Sequence, residues 1–96
     1  MIESEIERKF GRYVRSRGGL YLKQNPTWYV NIPDRLVCVP GGTAFFLELK
    51  RPGCSPNNGQ LKWARLARQR GHTVYWSDDV DEAIELYEKA FVRVPE

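Results

Sequence analysis

Apolar residues return along the chain with two periods, and the change from one to the other marks the elements. Between residues 3 and 17, Ile6, Phe10, Tyr13 and Val14 recur at helical spacing, which predicts an amphipathic helix. Gly18-Gly19 stops it, because glycine accepts the left-handed conformation at a helix end. Leu20 to Gln24 has the alternating character of a short strand. Asn25-Pro26-Thr27 is a turn signal, and Trp28 to Asn31 resumes extended structure. Pro33 has no N–H for a ladder and marks a strand start, so Arg35 to Val39 reads as the next strand. Pro40-Gly41-Gly42 is a hairpin-like turn into Thr43 to Lys50, a strand rich in aromatic and apolar residues. These two strands are expected to be antiparallel neighbours.

Arg51 to Cys54 is a loop. Ser55-Pro56 predicts an N-cap followed by proline at the first helical position, with the helix running to Arg70 and ending at Gly71. His72 to Trp76 is a strand of alternating bulky residues. Asp78 or Asp79 caps a last helix that lines up Val80, Ala83, Ile84 and Tyr87. The predicted order is α-β-β-β-α-β-α, an α/β fold with a mixed sheet and helices packed on it. Trp63 and Trp76 are assigned to the core, and His72 to a strand start.

With 96 residues, of which 42% are hydrophobic, the chain is expected to form one domain over 1–96 with its own core. No apolar run approaches the roughly 20 residues that cross a bilayer. The acidic opening Met1-Ile2-Glu3-Ser4-Glu5-Ile6-Glu7 lacks the layout of a signal peptide. A cytoplasmic location away from membranes is the expectation. Cys38 and Cys54 make no CxxC pair and read as free thiols. The net charge of +3 is small but uneven. Acidic residues crowd the first seven positions and the stretch from Asp78 to Glu88, and basic residues fill Arg8 to Arg17 and Lys50 to Arg70. A basic middle suits a polyanion such as nucleic acid, although an ordinary solvated surface has the same composition. His72 is the only histidine, which argues against a Ser-His-Asp site or a histidine metal cluster.

The candidate chemistry lies in Ile32-Pro33-Asp34 and Glu48-Leu49-Lys50. Residues two apart on a strand share a face, so Glu48 and Lys50 emerge together with Phe46, while Phe45, Leu47 and Leu49 face the other way. Asp34 begins the preceding strand, and a hairpin through Pro40 to Gly42 brings it near Glu48. Two converging carboxylates make a hard-oxygen site of the kind magnesium and manganese prefer, with the Leu49 backbone carbonyl as a further ligand. Lys50 could then orient a water or neutralise charge in a transition state. A Glu-x-Lys or a Pro-Asp alone is an ordinary strand-end surface feature. Pro-Asp, 13 intervening residues and Glu-x-Lys on adjacent strands is a stronger combination.

This pattern resembles the PD-(D/E)xK nuclease superfamily, and within it the VRR-NUC family of virus-type replication-repair nucleases. Glu3-Ser4-Glu5-Ile6-Glu7, Arg17-Gly18-Gly19, Ile32-Pro33-Asp34, the Pro-Gly-Gly turn, Glu48-Leu49-Lys50-Arg51-Pro52-Gly53, and Ser55-Pro56 with Gln60 fall in family order. The chain is the size of stand-alone phage members, and a phage or prophage protein in a bacterial host is implied. Asn31-Ile32 departs from the family's Gly-Val; asparagine tolerates the same unusual backbone angles. The resemblance implies a restriction-endonuclease-like αβββαβ core. It also implies a Mg2+- or Mn2+-dependent endonuclease acting on branched DNA at four-way (Holliday) junctions, as a homodimer. A general or flap-type nuclease, a non-catalytic DNA-binding module and a protein-interaction domain are the competing readings.

The superfamily places an acidic residue on its first helix, and Glu3 and Glu7 are the candidates. Helical phasing puts Glu3 inside the apolar stripe and Glu7 at its edge, which favours Glu3 and leaves Glu7 open one turn later. Gln60, on the side of its helix shared with Trp63, Leu66 and Ala67, is either a site residue or a boundary glutamine. Lys23, Arg35 and Arg51 flank the site and are candidates for phosphate contact. Lys62 and Arg65 share with Arg68 the opposite face of the helix and could track a DNA backbone. Trp28 and Tyr29 are either stacking residues or core and dimer contacts.

Overall fold

The computed structural model describes residues 2–24 and 31–91. Along them run α1 (Glu3–Ser16), β1 (Leu20–Lys23), β2 (Arg35–Val39), β3 (Thr43–Leu49), α2 (Asn58–Gln69), β4 (Val74–Ser77) and α3 (Val80–Ala90). The strands lie side by side in chain order. β1 pairs antiparallel with β2, β2 antiparallel with β3, and β3 parallel with β4. The sheet is therefore mixed, as predicted. Its parallel pair needs a crossover connection, and α2 supplies it.

Alternation along the strands divides the molecule into two layers. Tyr21, Val37, Val39, Phe45, Leu47 and Leu49 face α1 and α3 and form the main core with Ile6, Phe10, Val14, Ala83 and Tyr87. The other face carries a smaller cluster in which Ala64 and Ala67 of α2 cover Val74, with Phe46 and Trp63 at its margin. Trp63 is half-buried and meets the Phe46 ring edge-to-face, the centroids 5.2 Å apart.

The Gly18-Gly19 stop does two jobs. Gly18 has φ +83°, the left-handed turn that ends α1. Gly19 is pressed into the core: a Cβ there would lie 2.6 Å from the Tyr87 hydroxyl and 3.0 Å from the Cys38 carbonyl oxygen. At the start of α3, Asp79 is the cap, its carboxylate accepting from the Glu82 N–H at 2.9 Å.

Two boundaries and one burial differ from expectation. α2 is capped by Asn57, whose Oδ1 accepts from the Gln60 N–H at 2.8 Å, and not by Ser55-Pro56. Asn57 combines a capping side chain with a glutamine three residues on, the reciprocal capping arrangement, and this outcompetes the serine–proline pair upstream. β4 begins at Val74, so His72 lies in the exposed turn before it. Trp76 is not in the core: it is 38% exposed, because α2 covers Val74 through Ala64 and Ala67 and only its first turns approach Trp76. Of the predicted extension from Trp28 to Asn31, residues 28–30 lie outside the described residues, and Asn31 is left-handed with φ +70° and not extended. Both Cys38 and Cys54 are free thiols.

Candidate active site

The register places the proposed carboxylates opposite each other. Arg35 pairs with Leu47, so Asp34, one residue before β2, continues the antiparallel ladder opposite Glu48. The Asp34 N–H donates to Glu48 Oε1 at 3.3 Å. Its carbonyl accepts from the Gln24 N–H at 2.6 Å, tying the position to the end of β1. Ahead of it, Asn31 has φ +70°, the left-handed conformation for which asparagine is the usual non-glycine choice. The Asn31 amide packs on Gly59 in the first turn of α2, where a Cβ would come within 2.5 Å of Asn31 Nδ2. The loop that delivers Asp34 is thus seated directly on the α2 N-terminus.

Glu48 lies among apolar residues at 8% exposure. Lys50 follows on the same strand face, Nζ 3.9 Å from Glu48 Oε2, and its N–H donates to the Ser77 carbonyl at 2.8 Å, pinning the end of β3 to β4. Burial and the Asp34 carboxylate push the Glu48 carboxyl up from its ordinary 4.5 to about 7, against the pull of Lys50. Glu48 is therefore held beside a second carboxylate with less positive charge nearby than its own ionised form needs.

No family model matches the sequence. A relative from Acyrthosiphon pisum secondary endosymbiont phage 1, "Putative nuclease p44", is 35% identical over 79 residues, spanning 82% of this chain and 85% of that protein. A solved VRR_NUC domain superposes with a TM-score of 0.83 over 93% of this chain and 97% of its own, at 26% identity. The chain belongs to the VRR-NUC nuclease family.

In this VRR-NUC chain the remaining predicted residues divide by location. Glu3, exposed, lines a hollow with Lys50, Arg51, Cys54 and Ser55, and its charge is felt at Glu48. Glu7 is instead paired with Arg35, Oε1 to Nε at 3.3 Å. The Arg35 guanidinium also lies 4.3 Å from the Tyr21 ring centroid. Arg35 is thereby turned toward α1, on the sheet face opposite to Asp34 and Glu48. Lys23, Arg51, Lys62 and Arg65 are exposed. Arg68 departs from the row expected with Lys62 and Arg65, since its guanidinium donates back to the Val74 carbonyl.

Gln60 is half-buried in the first turn of α2. Its Oε1 accepts from the Asn57 N–H at 3.0 Å, and its side chain lines a pocket shared with Glu48, Pro33, Pro56, Leu61 and Trp76. Leu66, expected on the covered stripe, is 41% exposed. Trp28 and Tyr29 lie outside the described residues. The residue missed by sequence reasoning is Trp76, whose β-strand alternation with Val74 gave its face and not its cover.

Proposed function

We propose that this chain is a metal-dependent endodeoxyribonuclease that hydrolyses phosphodiester bonds of branched DNA, chiefly four-way junctions, as a homodimer. The observation that carries the reading is the convergence of Asp34 and Glu48 across one rung of the sheet, with Lys50 beside Glu48. The donor set fits Mg2+ or Mn2+, which take oxygen ligands; magnesium is commonly held by one or two carboxylates together with substrate phosphate and water. Among the described residues no three or more His, Cys, Asp or Glu side chains stand together as a metal-holding group, so the carboxylate pair is the part of such a site that the fold itself assembles. Asp34 and Glu48 would hold the ion, with the Leu49 carbonyl as a further donor and Glu3 across the hollow it shares with Lys50. When bound, such an ion polarises the phosphate and lowers the pKa of a water.

The chain's own residues supply the rest. Lys50 offers an ammonium at the point where negative charge builds on the phosphoryl oxygens, in a partly dry setting where that contact counts for more than in water. Without an ion, burial and Asp34 raise the Glu48 carboxyl to about 7; a bound dication would favour its carboxylate form. Glu3 fits the first-helix acidic role better than Glu7, because Glu7 is engaged by Arg35. Gln60, fixed by its capping bond, can hold a water or a phosphate at the rim. Lys23, Arg51, Lys62 and Arg65 provide the sequence-independent contacts to phosphate.

A half-bare sheet supports the dimer. Leu20 and Leu22 of β1 are 58% and 44% exposed. They align with Cys38 and Leu36 of β2, and those with Ala44 and Phe46 of β3, making an apolar patch on the face that α2 leaves open. A contiguous apolar patch of this sort marks a contact surface, and a second copy covering it would present two sites.

The test is cleavage of four-way junction, flap and linear duplex DNA with Mg2+, Mn2+ or EDTA. Junctions are expected to be cut in either metal and spared in EDTA. Asp34→Ala and Lys50→Ala should each lower cleavage by at least roughly a hundredfold, the scale of losing one transition-state contact. Equal activity in EDTA overturns the metal reading, and full activity of Asp34→Ala overturns the site. Equal cutting of linear duplex removes junction selectivity and leaves a general nuclease.

A further inference from the structure

The rung that holds the two carboxylates continues one strand further. Asp34 lies opposite Glu48 on the antiparallel ladder, and Glu48 is the parallel register partner of Trp76. Neighbouring strands are about 4.8 Å apart, and register partners share a face, so the Trp76 indole stands one strand spacing from Glu48 on the same side. It is also 38% exposed. The α2 cluster is built from Ala64, Ala67 and Val74 with Phe46 and Trp63 packed against it, and Trp76 is not among its members. The pocket it borders, about 60 Å³, is lined by Pro33, Pro56 and Leu61 with Glu48, Gln60 and Arg68 as its polar part. That volume is too small to enclose a nucleobase, but its apolar rim suits the face of one.

We infer that Trp76 is a stacking platform for a single unstacked nucleobase adjacent to the scissile phosphate, and so a specificity residue for DNA with unpaired or splayed nucleotides. The inference rests on the nuclease reading of Asp34, Glu48 and Lys50. With a phosphate at that rung, the neighbouring base has to go to one side of it. On the β2 side lie Asp34 and Asn31, whose amide packs on Gly59. On the β4 side lies an indole. Aromatic stacking accepts any base, because every base has a π-face. Inside a continuous duplex both faces of a base are already covered, so only a nucleotide out of the stack can use the platform. The selectivity thus falls on structure and not on sequence.

The experiment compares wild type, Trp76→Ala and Trp76→Phe. Flap and junction oligonucleotides carry 2-aminopurine in turn at each unpaired or branch-point position. Binding is read in EDTA by quenching of the 2-aminopurine emission, and cleavage in Mg2+ by KM and kcat. Wild type is expected to quench the probe at one position. Trp76→Ala should lose that quench and raise KM for the flap roughly tenfold, within the range for losing one base–aromatic stack, with a much smaller change in kcat. Trp76→Phe should recover most of both. Because the binding arm needs no cleavage, it separates this inference from the active-site reading, which Asp34→Ala tests. Undiminished quenching by Trp76→Ala overturns the inference, as does a fall in kcat without a rise in KM. An altered oligomeric state with the quench intact would assign Trp76 to a protein interface instead.

Discussion

Glu48 is the residue on which chemistry and stability meet. Its carboxyl is raised from 4.5 to about 7 by burial first and by Asp34 second. A carboxyl raised on folding makes the folded state bind a proton more tightly than the unfolded state. Its stabilising contribution is therefore full below about pH 4.5 and is lost as pH rises through about 7. At one pKa unit per 1.36 kcal/mol the loss amounts to at most about 3 kcal/mol. Urea unfolding in EDTA between these limits should show stability falling as pH rises. Glu48→Gln should flatten that slope and be more stable than wild type above neutrality, while losing cleavage. A wild-type slope retained in Glu48→Gln would assign the titration elsewhere. The identity of Asp34, Glu48 and Lys50 as candidates was legible in the sequence, because strand alternation and one hairpin suffice to bring them together. Helical phasing already leaned toward Glu3 over Glu7, and the Arg35–Glu7 pair adds a tertiary argument for it that the sequence could not show.

Among the elements, α2 shows how local chemistry and packing share control. The serine–proline pair at 55–56 is a sound helix start by itself. Asn57 prevails because it and Gln60 satisfy each other's backbone N–H groups. Asn57→Ala is expected to cost about 1 kcal/mol, lowering the melting temperature by roughly 4–8 °C for a domain of this size. Ser55→Ala should leave it nearly unchanged, and the reverse ranking in thermal melts would restore the upstream start. Gly59 gives a sharper test. Alanine normally stabilises a helix relative to glycine by roughly 0.5–1 kcal/mol. Here the added methyl would strike the Asn31 amide and push on the loop that carries Asp34. Gly59→Ala should therefore reduce cleavage more than stability, measured as kcat beside the melting temperature. A variant that gains stability with full activity would show that this contact does not position Asp34.

For the whole molecule, the uneven cover of the sheet decides most. One face is sealed by α1 and α3, and the other is covered by α2 only over the β3–β4 half. Leu22→Lys places a charge in the bare apolar half without touching the main core. It is expected to shift the protein toward monomer in sedimentation and to weaken junction cleavage, while circular dichroism stays native. A wild-type mass would move the interface off this face. Cleavage should also fall steeply with added salt, since cations such as Lys62 and Arg65 act through counterion release.

The sequence by itself determined the element order, the antiparallel β2–β3 hairpin and the face shared by Glu48 and Lys50, because each follows from short-range periodicity and turn chemistry. It did not place Asn31 in the left-handed conformation, φ +70°, because the extended reading of Trp28 to Asn31 took no account of the seat on Gly59. Tertiary structure alone decided what covers each strand face. It left Trp76 exposed beside the carboxylates and turned Arg35 toward α1. It also raised the Glu48 carboxyl by burial. Alternation tells which way a side chain points; only packing tells what it meets there, and burial, charge pairing and pKa all depend on that neighbour.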